Sequence, residues 1–215
     1  MKNQLQCFSR EEWLTARKKR IGGSESSAVV GMNPYMDNND LWEIKTGRKE
    51  AGISDNALMQ YGRDAEPHLR ELFKLDFPQY KLFYEENNIW LNDKYPFAHA
   101  SLDGWLEDEN GRLGILEIKT TNILSSMAKE KWKGCVPANY HIQVLHYMMV
   151  MEAEFAVLKA QLRFDYDGEI VFHTRHYFFE RAELEEDIKA LEEAEKEFYE
   201  YVTTDKRPPL ILPNI

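Results

Sequence analysis

Cysteine is scarce in this chain. Cys7 and Cys135 are the two cysteines among 215 residues. Two thiols are too few for a four-cysteine zinc site or an iron–sulfur cluster, and they suit a protein of a reducing cytoplasm. His141 and His146 are five residues apart, a spacing that does not align two ligands on one helix face. His99 is expected to pack or to lie at the surface, so a zinc site is not predicted.

Long apolar runs are missing as well. No stretch approaches the roughly 20 residues that cross a bilayer, and no signal peptide pattern opens the chain. We therefore expect a cytoplasmic protein with no membrane partner. Repeats and low-complexity segments are also absent. With 43% hydrophobic and 30% charged residues, the sequence predicts one well-buried domain over 1–205. A proline-rich tail, 206–215, follows as a disordered end or as an arm that docks on a neighbouring subunit.

Positive charge is in deficit. Lysine and arginine total 27 against 37 acidic residues, which gives a net charge of −10. This balance argues against a broad, non-specific coat for nucleic acid. A local basic channel remains compatible with it, because the distribution of charge matters more than its sum.

The segment from Ala100 to Thr121 predicts two strands joined by a polar turn at Asp108–Gly111. Side chains alternate along a strand, so the second strand has two apolar faces. One face contains Leu113, Ile115, Glu117 and Lys119, and the other contains Gly114, Leu116 and Ile118. A strand this apolar is normally buried on both faces.

Charged residues interrupt this hairpin at one end. Glu117 and Lys119 share a face, and Asp103 lies on the first strand just before Gly104. Buried charge is costly unless it is paired or binds metal. Two interpretations fit these residues: a surface ion pair beside a turn, or a divalent-metal site for phosphodiester hydrolysis. In the second, hard oxygen ligands would hold Mg²⁺, and Lys119 would lie beside the attacking water.

The N-terminal region predicts a helix over Ser9–Lys19 that Ser9 caps, followed by a basic cluster, Arg17–Arg20. Two glycines then precede Ser24, which we expect to cap a helix running to about Gly31. A helix N-terminus beside arginines is a good anion site. A solvated basic helix end explains the same residues equally well.

Further helices are predicted over Asp40–Thr46 and over Ala57–Leu75, where Pro67 should kink or restart the helix. A loop is expected at Gly52–Asp55. Glu66 directly precedes Pro67, beside an apolar stripe. The stripe consists of Leu58, Tyr61, Ala65, Leu69, Leu72 and Phe73.

Short strands are predicted over Lys81–Tyr84, Ile89–Leu91 and Phe97–Asp103, and a hairpin over Phe155–Phe164 and Glu169–Tyr177. Helices are predicted over Ser125–Lys133, Pro137–Val150 and Arg181–Val202. The last has a buried stripe and a strongly acidic outer face. Its stripe consists of Leu184, Ile188, Leu191 and Phe198.

Tyr140, Gln143 and Tyr147 form one stripe of the Pro137–Val150 helix, at spacings of three and four residues. The stripe is either a half-buried helix face or a pocket wall in which Gln143 has a polar role.

The order of these segments resembles the lambda-type phage exonucleases, the YqaJ-like viral recombinases of the PD-(D/E)xK nuclease superfamily. The resemblance covers roughly Arg17 to Tyr147. R-K-K-R-I-G-G-S-E resembles the family's arginine–serine opening and assigns phosphate binding to Arg17 and Ser24. Y-G-R-D-A-E-P resembles the family's G-x(3)-E-P helix and assigns a catalytic role to Glu66.

Three later segments complete the resemblance. S-L-D-G supplies Ser101 for substrate phosphate and Asp103 for metal, and Leu102 stands where the family has proline. E-I-K supplies Glu117 and Lys119. Q-V-L-H-Y supplies Gln143 and Tyr147. Any one of these segments is weak evidence, whereas five in order are specific.

The resemblance implies an α/β fold: a PD-(D/E)xK core with a mixed central sheet flanked by helices. We expect the site at a sheet edge. It also implies two Mg²⁺ ions, for which Mn²⁺ should substitute, sharing Asp103. The further ligands would be Glu117, the Ile118 backbone carbonyl and Glu66 through water. Carboxylates crowded around a divalent ion are relieved of mutual repulsion.

The implied activity is 5′-to-3′ digestion of linear double-stranded DNA that leaves a 3′ single strand for phage-type recombination. Catalysis would rest on Glu66, Asp103, Glu117, Lys119 and Gln143, with Lys119 positioning water and stabilising charge. The implied partners are DNA ends, a ring-shaped homotrimer and a single-strand annealing protein, in a bacterial or phage-infected cell. A restriction-type endonuclease of the same superfamily and a catalytically silent DNA-end-binding subunit are the alternatives.

Overall fold

The computed structural model describes residues 2–50, 52 and 56–212. Nine strands lie within these ranges: Lys2–Leu5 (β1), Ile21–Gly22 (β2), Lys81–Phe83 (β3), Ile89–Asn92 (β4), Ala98–His99 (β5), Gly104–Glu107 (β6), Leu113–Asn122 (β7), Phe155–Tyr166 (β8) and Glu169–Glu180 (β9). Seven helices accompany them: Arg10–Arg17 (α1), Gly23–Val29 (α2), Asn38–Lys45 (α3), Ala57–Asp76 (α4), Ser126–Glu130 (α5), Ala138–Met151 (α6) and Arg181–Thr203 (α7). Ile53–Asp55, within the predicted Gly52–Asp55 loop, lie outside the described residues.

A five-stranded sheet forms the centre, in the order β3-β6-β7-β8-β9. β7 pairs antiparallel with β6 and parallel with β8, so the sheet is mixed. This confirms the predicted α/β fold. The predicted position at a sheet edge holds only locally: β7 is the third of five strands, but its β6 side has no pairing beyond Leu116. Two small sheets pair β1 with β4 and β2 with β5.

Helices cover both faces of β7, which explains its nearly continuous apolar sequence. Ile115 points into a large core with residues of α6 and α7, such as Met148 and Leu191. Leu116 and Ile118 point into a second core. That second core also contains Leu69 and Phe73 of α4. Complete burial of the Phe73 side chain contributes about 1.5–3 kcal/mol to the free energy of unfolding.

α4 differs from its prediction in two ways. The helix runs through Pro67 as one element of 20 residues, so the proline does not restart it. Leu58, Tyr61 and Leu72 are exposed rather than buried. The buried side of α4 consists of Leu69, Arg70 and Phe73, and Tyr61 contacts the sheet from its exposed position, where its hydroxyl donates to Gln161 at 2.7 Å.

Local signals predicted most other elements to within a few residues. The turn between β8 and β9 has positive φ at Asp167 and Gly168, as a two-residue hairpin requires. Asp103 precedes β6 instead of lying on a strand, and the predicted Phe97–Asp103 strand shortens to β5. The short β1 was not predicted.

The tail packs on its own chain as far as residue 212. The Asn38 side chain donates to the Pro209 carbonyl at 2.7 Å and accepts from the Ile211 N–H at 3.0 Å. Residues 213–215 of the predicted tail lie outside the described residues. Across the described ranges, no helix combines the length and apolar character needed to cross a bilayer.

Candidate active site

A gap in strand pairing creates the site. β6 pairs with β7 only as far as Gly104 opposite Leu116, so the β6 side of β7 lies open from Glu117 onward. Asp103, just before β6, fills this gap: its Oδ2 accepts from the Ile118 N–H at 2.8 Å. The N–H and C=O of one strand residue point to the same side. The Ile118 carbonyl therefore faces the same gap as the Asp103 carboxylate.

Glu117 lies deep in the site, with 2% of its surface exposed. Its Oε1 accepts from the Lys119 ammonium at 2.7 Å and from Gln143 Nε2 at 2.8 Å. Its Oε2 is buried and has no hydrogen-bond partner among the described residues. Gln143 also donates to the Tyr147 hydroxyl at 3.1 Å. Gln143 therefore has the polar role that its position on the helix stripe suggested.

Glu66 comes to the site from the opposite side, on α4. Gly62 permits this approach, because a Cβ at that position would lie 3.0 Å from Thr120 Oγ1 on β7. The Glu66 carboxylate forms an ion pair with the buried Arg70 guanidinium, one helical turn away. Arg70 was not predicted as a site residue. Its only local signal was the four-residue spacing from Glu66, which is common on solvated helices.

Crowded negative charge shifts the titration of the acids. Burial, followed by the charge of Asp103, raises the pKa of Glu66 to about 7 and that of Glu117 to about 8. Burial also raises the pKa of Asp103, against the opposing effect of Lys119. Burial alone would lower the pKa of Lys119, but Glu117 and Asp103 raise it above its ordinary value. Lys119 is therefore an ammonium at neutral pH.

The donor set fits a divalent cation. Asp103 and Glu117 present hard carboxylate oxygens, one of them buried and unpartnered, beside the Ile118 carbonyl. In the described ranges, no group of three or more His, Cys, Asp or Glu side chains could hold a metal ion. A metal ion bound here would have two carboxylates, the backbone carbonyl and water as its ligands. Glu66, engaged by Arg70, fits a contact through water.

Arg17 and Ser24 lie together, as the phosphate-site prediction requires. The Arg17 guanidinium donates to Ser24 Oγ at 3.4 Å and lies 4.2 Å from the centre of the Trp13 ring. Burial and Glu117 raise the pKa of the Tyr147 hydroxyl, and the charges of Lys119 and Arg17 oppose that rise. Gly23, which precedes Ser24, packs on the Tyr147 ring, and the Tyr147 hydroxyl accepts from Gln143, so Tyr147 contacts both the segment beside Ser24 and the residue bonded to Glu117.

The helix after Arg17 differs from its prediction. α2 is capped by Gly22 rather than by Ser24 and has seven residues. The Glu25 carboxylate accepts from the Gly22 N–H at 2.9 Å and pairs with Lys45 at 2.6 Å. A carboxylate therefore already occupies this helix N-terminus, and any anion binding rests on the Arg17 and Ser24 side chains.

Ser101 does not face the acids. Its hydroxyl donates to the Asn88 carbonyl at 2.8 Å and accepts from the Trp13 indole N–H at 3.1 Å. In this arrangement its proton is not free for a phosphate.

A second buried polar cluster was missed. His146 Nδ1 lies 2.7 Å from Glu195 Oε1, and its Nε2 donates to the His99 carbonyl at 2.9 Å. Burial would lower the pKa of His146, but Glu195 and the His99 carbonyl raise it. Glu195 belongs to the acidic α7 and is fully buried. Its position four residues after Leu191 and three before Phe198 places it on the buried stripe of α7, but its partner His146 lies on a different helix, which no local signal reveals.

A family model described as a YqaJ-like viral recombinase domain matches residues 12–154, about two thirds of the chain. The matched part includes every residue from Arg17 to Tyr147 that was assigned to the site. The chain belongs to the YqaJ-like viral recombinase family. The resemblance stated from the sequence is thereby confirmed.

A curated relative, the uncharacterized protein YqaJ of Bacillus subtilis (strain 168), is 31% identical over 149 residues. The alignment covers 69% of this chain and 44% of that protein, so the chain spans less than half the length of this family relative.

Solved structures share the fold. The crystal structure of LHK-Exo in complex with dAMP has a TM-score of 0.64 at 20% identity and covers 92% of this chain and 96% of that chain. LHK-Exo is described as an alkaline exonuclease from Laribacter hongkongensis. A phage-related exonuclease from Haemophilus somnus 129PT has a TM-score of 0.57 at 16% identity, with coverage of 86% and 96%. At these identities the likeness establishes the fold of this family member.

Proposed function

We propose that this protein is a Mg²⁺-dependent exonuclease that digests linear double-stranded DNA from 5′ to 3′. The remaining 3′ single strand would serve phage-type recombination. The observation that carries the proposal is the cluster of Asp103, Glu117 and Lys119 in the gap beside β7, with Gln143 bonded to Glu117. Membership of a viral recombinase family and a fold shared with two exonucleases support it.

In this proposal, Asp103, Glu117 and the Ile118 carbonyl hold two divalent ions, and Glu66 contributes through water. Bound Mg²⁺, or Mn²⁺ in its place, would supply Lewis acidity at the scissile phosphate and lower the pKa of the attacking water. Lys119 orients that water and stabilises the charge that develops on phosphate oxygens. Gln143 keeps the Glu117 carboxylate in one orientation. Arg17 and Ser24 bind the terminal 5′ phosphate.

The assembly belongs to the same proposal. A ring-shaped homotrimer would enclose the duplex, and a single-strand annealing protein would receive the 3′ strand, in the cytoplasm of a bacterial or phage-infected cell. Light scattering of the purified protein tests the trimer directly. A monomer at micromolar concentration would remove that part of the proposal and leave the nuclease activity to be judged on its own.

Digestion of matched DNA substrates tests the activity. A linear duplex, labelled in separate preparations at its 5′ termini or at its 3′ termini, and a covalently closed circle of the same sequence are incubated with protein and Mg²⁺. We expect early release of the 5′ label, retention of the 3′ label, and survival of the circle. Lys119→Ala, which removes the ammonium from the cluster, is the control and should leave both substrates intact.

Each alternative gives its own result. Cleavage of the closed circle would identify an endonuclease. Binding to DNA ends without cleavage in Mg²⁺ or Mn²⁺ would identify a silent end-binding subunit. Early release of the label from the 3′ termini would refute the proposed polarity.

A further inference from the structure

Arg70 joins two catalytic acids that come from separate parts of the chain. It lies on α4 with 5% of its surface exposed. Its Nη2 pairs with the Glu66 carboxylate, and its Nε donates to the Asp103 backbone carbonyl at 2.6 Å. Its guanidinium carbon lies 3.4 Å from the centre of the Tyr84 ring. Two N–H-bearing nitrogens and one face of the guanidinium are thus engaged at once.

These contacts fix Asp103 from both ends. Arg70 holds its carbonyl, and the Ile118 N–H holds its carboxylate at 2.8 Å. Asp103 precedes β6 without ladder pairing of its own. The direction of its side chain therefore depends on these two hydrogen bonds.

We propose that Arg70 is a positioning residue that holds Glu66 and Asp103 in their catalytic arrangement and acts through them rather than by contacting DNA. The inference rests on the proposed nuclease function, because it assigns Arg70 a part in that activity. The contacts that Arg70 makes do not depend on it.

The chemistry of arginine matches this task. Burying a cation is costly, and packing α4 against the sheet alone would be served equally well by an apolar side chain of similar size. A planar fork can donate to a carboxylate and a carbonyl in two fixed directions while stacking on an aromatic ring. A lysine would keep the charge but lose the fork and the stacking on Tyr84.

Arg181 provides a matched control. It also pairs with a glutamate four residues away, Glu185, at 2.9 Å, and donates to a backbone carbonyl, that of Met148, at 2.8 Å. These partners lie on α7 and at the end of α6, and none belongs to the candidate active site. Arg181→Met therefore removes the same kinds of contact without touching the acids.

The test compares Arg70→Met, Arg70→Lys and Arg181→Met in the full chain by melting temperature, by kcat and KM on linear duplex, and by calorimetric Mn²⁺ affinity. Arg70→Met should lower kcat and Mn²⁺ affinity by about 10- to 100-fold, the range for groups that orient metal ligands. KM for DNA should change by less than about threefold, because Arg70 does not contact DNA in this proposal and the binding of substrate before the reaction should be unaffected. Arg70→Lys should recover only part of the loss. Arg181→Met should lower the melting temperature alone.

A double-mutant cycle with Glu66→Gln then asks whether Arg70 acts through Glu66. Coupled residues give non-additive effects, so Arg70→Met should cost less in Mn²⁺ affinity when Glu66→Gln is already present. Additive losses, or Mn²⁺ affinity and kcat unchanged in Arg70→Met, would overturn the inference. If the wild type binds Mn²⁺ but cleaves no DNA, the proposed function fails, while the cycle on Mn²⁺ affinity still decides the role of Arg70.

Discussion

The molecule buries carboxylates in two places, and they differ in charge balance. The candidate active site combines Glu66, Asp103 and Glu117 with the cations Lys119 and Arg70. The core cluster pairs one acid, Glu195, with one base, His146. Both leave a buried glutamate oxygen without a hydrogen-bond partner among the described residues: Oε2 of Glu117 and Oε2 of Glu195.

An unpartnered oxygen therefore does not identify a metal site by itself. In the core cluster the charges pair off, and Glu195 raises the pKa of His146. In the site, burial and then the charge of Asp103 raise the pKa of Glu66 to about 7 and that of Glu117 to about 8. Surplus negative charge, rather than a missing hydrogen bond, indicates where a cation belongs.

The largest expected effect comes from replacing a glutamate by glutamine, a change that should have opposite consequences in the two clusters. Glu117→Gln should reduce DNA digestion by at least about 100-fold, because it removes a proposed metal ligand and the anion paired with Lys119. It should leave the melting temperature of the metal-free protein unchanged or raise it, since it relieves repulsion. Glu195→Gln should instead leave the rate of DNA digestion unchanged and lower the melting temperature. Digestion rates and thermal melts of both variants provide the measurement.

The core variant should lose about 1–3 kcal/mol of unfolding free energy, because the buried His146 loses its charged acceptor. The rate of digestion per folded molecule should be unaffected. A metal-free Glu117→Gln protein that melts well below wild type would show that Glu117 is structural, and the contrast between the clusters would disappear.

Arg17→Ala should have the next largest effect, on the choice of substrate. A charge-assisted contact to a terminal phosphate makes initial digestion about 10- to 100-fold faster on 5′-phosphorylated ends than on 5′-hydroxyl ends. Arg17→Ala should erase this preference. Arg10→Ala is the control, since Arg10 also lies over the Trp13 ring, at 5.9 Å. Equal slowing of both substrates by Arg17→Ala would assign Arg17 a general role in DNA binding or in structure.

The two clusters also mark where sequence reasoning succeeded and where it failed. Glu117 and Gln143 could be found because strand and helix periodicity set which residues share a face. Ser9 was correctly predicted as a cap, accepting from the Glu12 N–H, because a cap depends on a few neighbouring residues. Glu195 and His146 are 49 positions apart, and no local pattern brings them together.

Pairing between distant segments explains the other misses. The central place of β7 depends on its parallel ladder with β8 across α6, which hairpin signals do not reveal. Arg70 was overlooked because its link to the Asp103 carbonyl spans 33 residues. Polar contacts between residues that are far apart in the chain cannot be predicted from a single sequence.

A pH series tests the charge surplus itself. The ordinary pKa of glutamate is 4.5, and the folded values for Glu66 and Glu117 are about 7 and about 8. Between pH 4.5 and 8 the unfolded chain releases these protons first, so these groups lower the stability of the metal-free protein as pH rises. A divalent ion competes with the same protons. The rise in melting temperature caused by Ca²⁺ should therefore be small at pH 6 and grow to about pH 8.

Glu117→Gln removes the higher of the two titrations and should flatten this pH dependence. Ca²⁺ should support little cleavage, because its looser coordination misplaces the attacking water. An equal Ca²⁺ effect at pH 6 and pH 9 would mean that protons and metal do not share these carboxylates.

The smallest expected effect comes from one hydroxyl. The Tyr147 hydroxyl accepts from Gln143, which also donates to Glu117. The Tyr147 ring packs against Gly23, where an added Cβ would lie 2.4 Å from the ring, so Tyr147→Phe should keep the ring in place and remove only the acceptor. Loss of a neutral hydrogen bond costs about 0.5–1.5 kcal/mol, or about a 2- to 12-fold lower kcat if its whole effect reaches the orientation of Glu117. Tyr177→Phe, which deletes a hydroxyl bonded to the Trp132 carbonyl at 2.5 Å, should lower stability without changing kcat. Equal kcat values for the two variants would show that Gln143 is oriented by Glu117 alone.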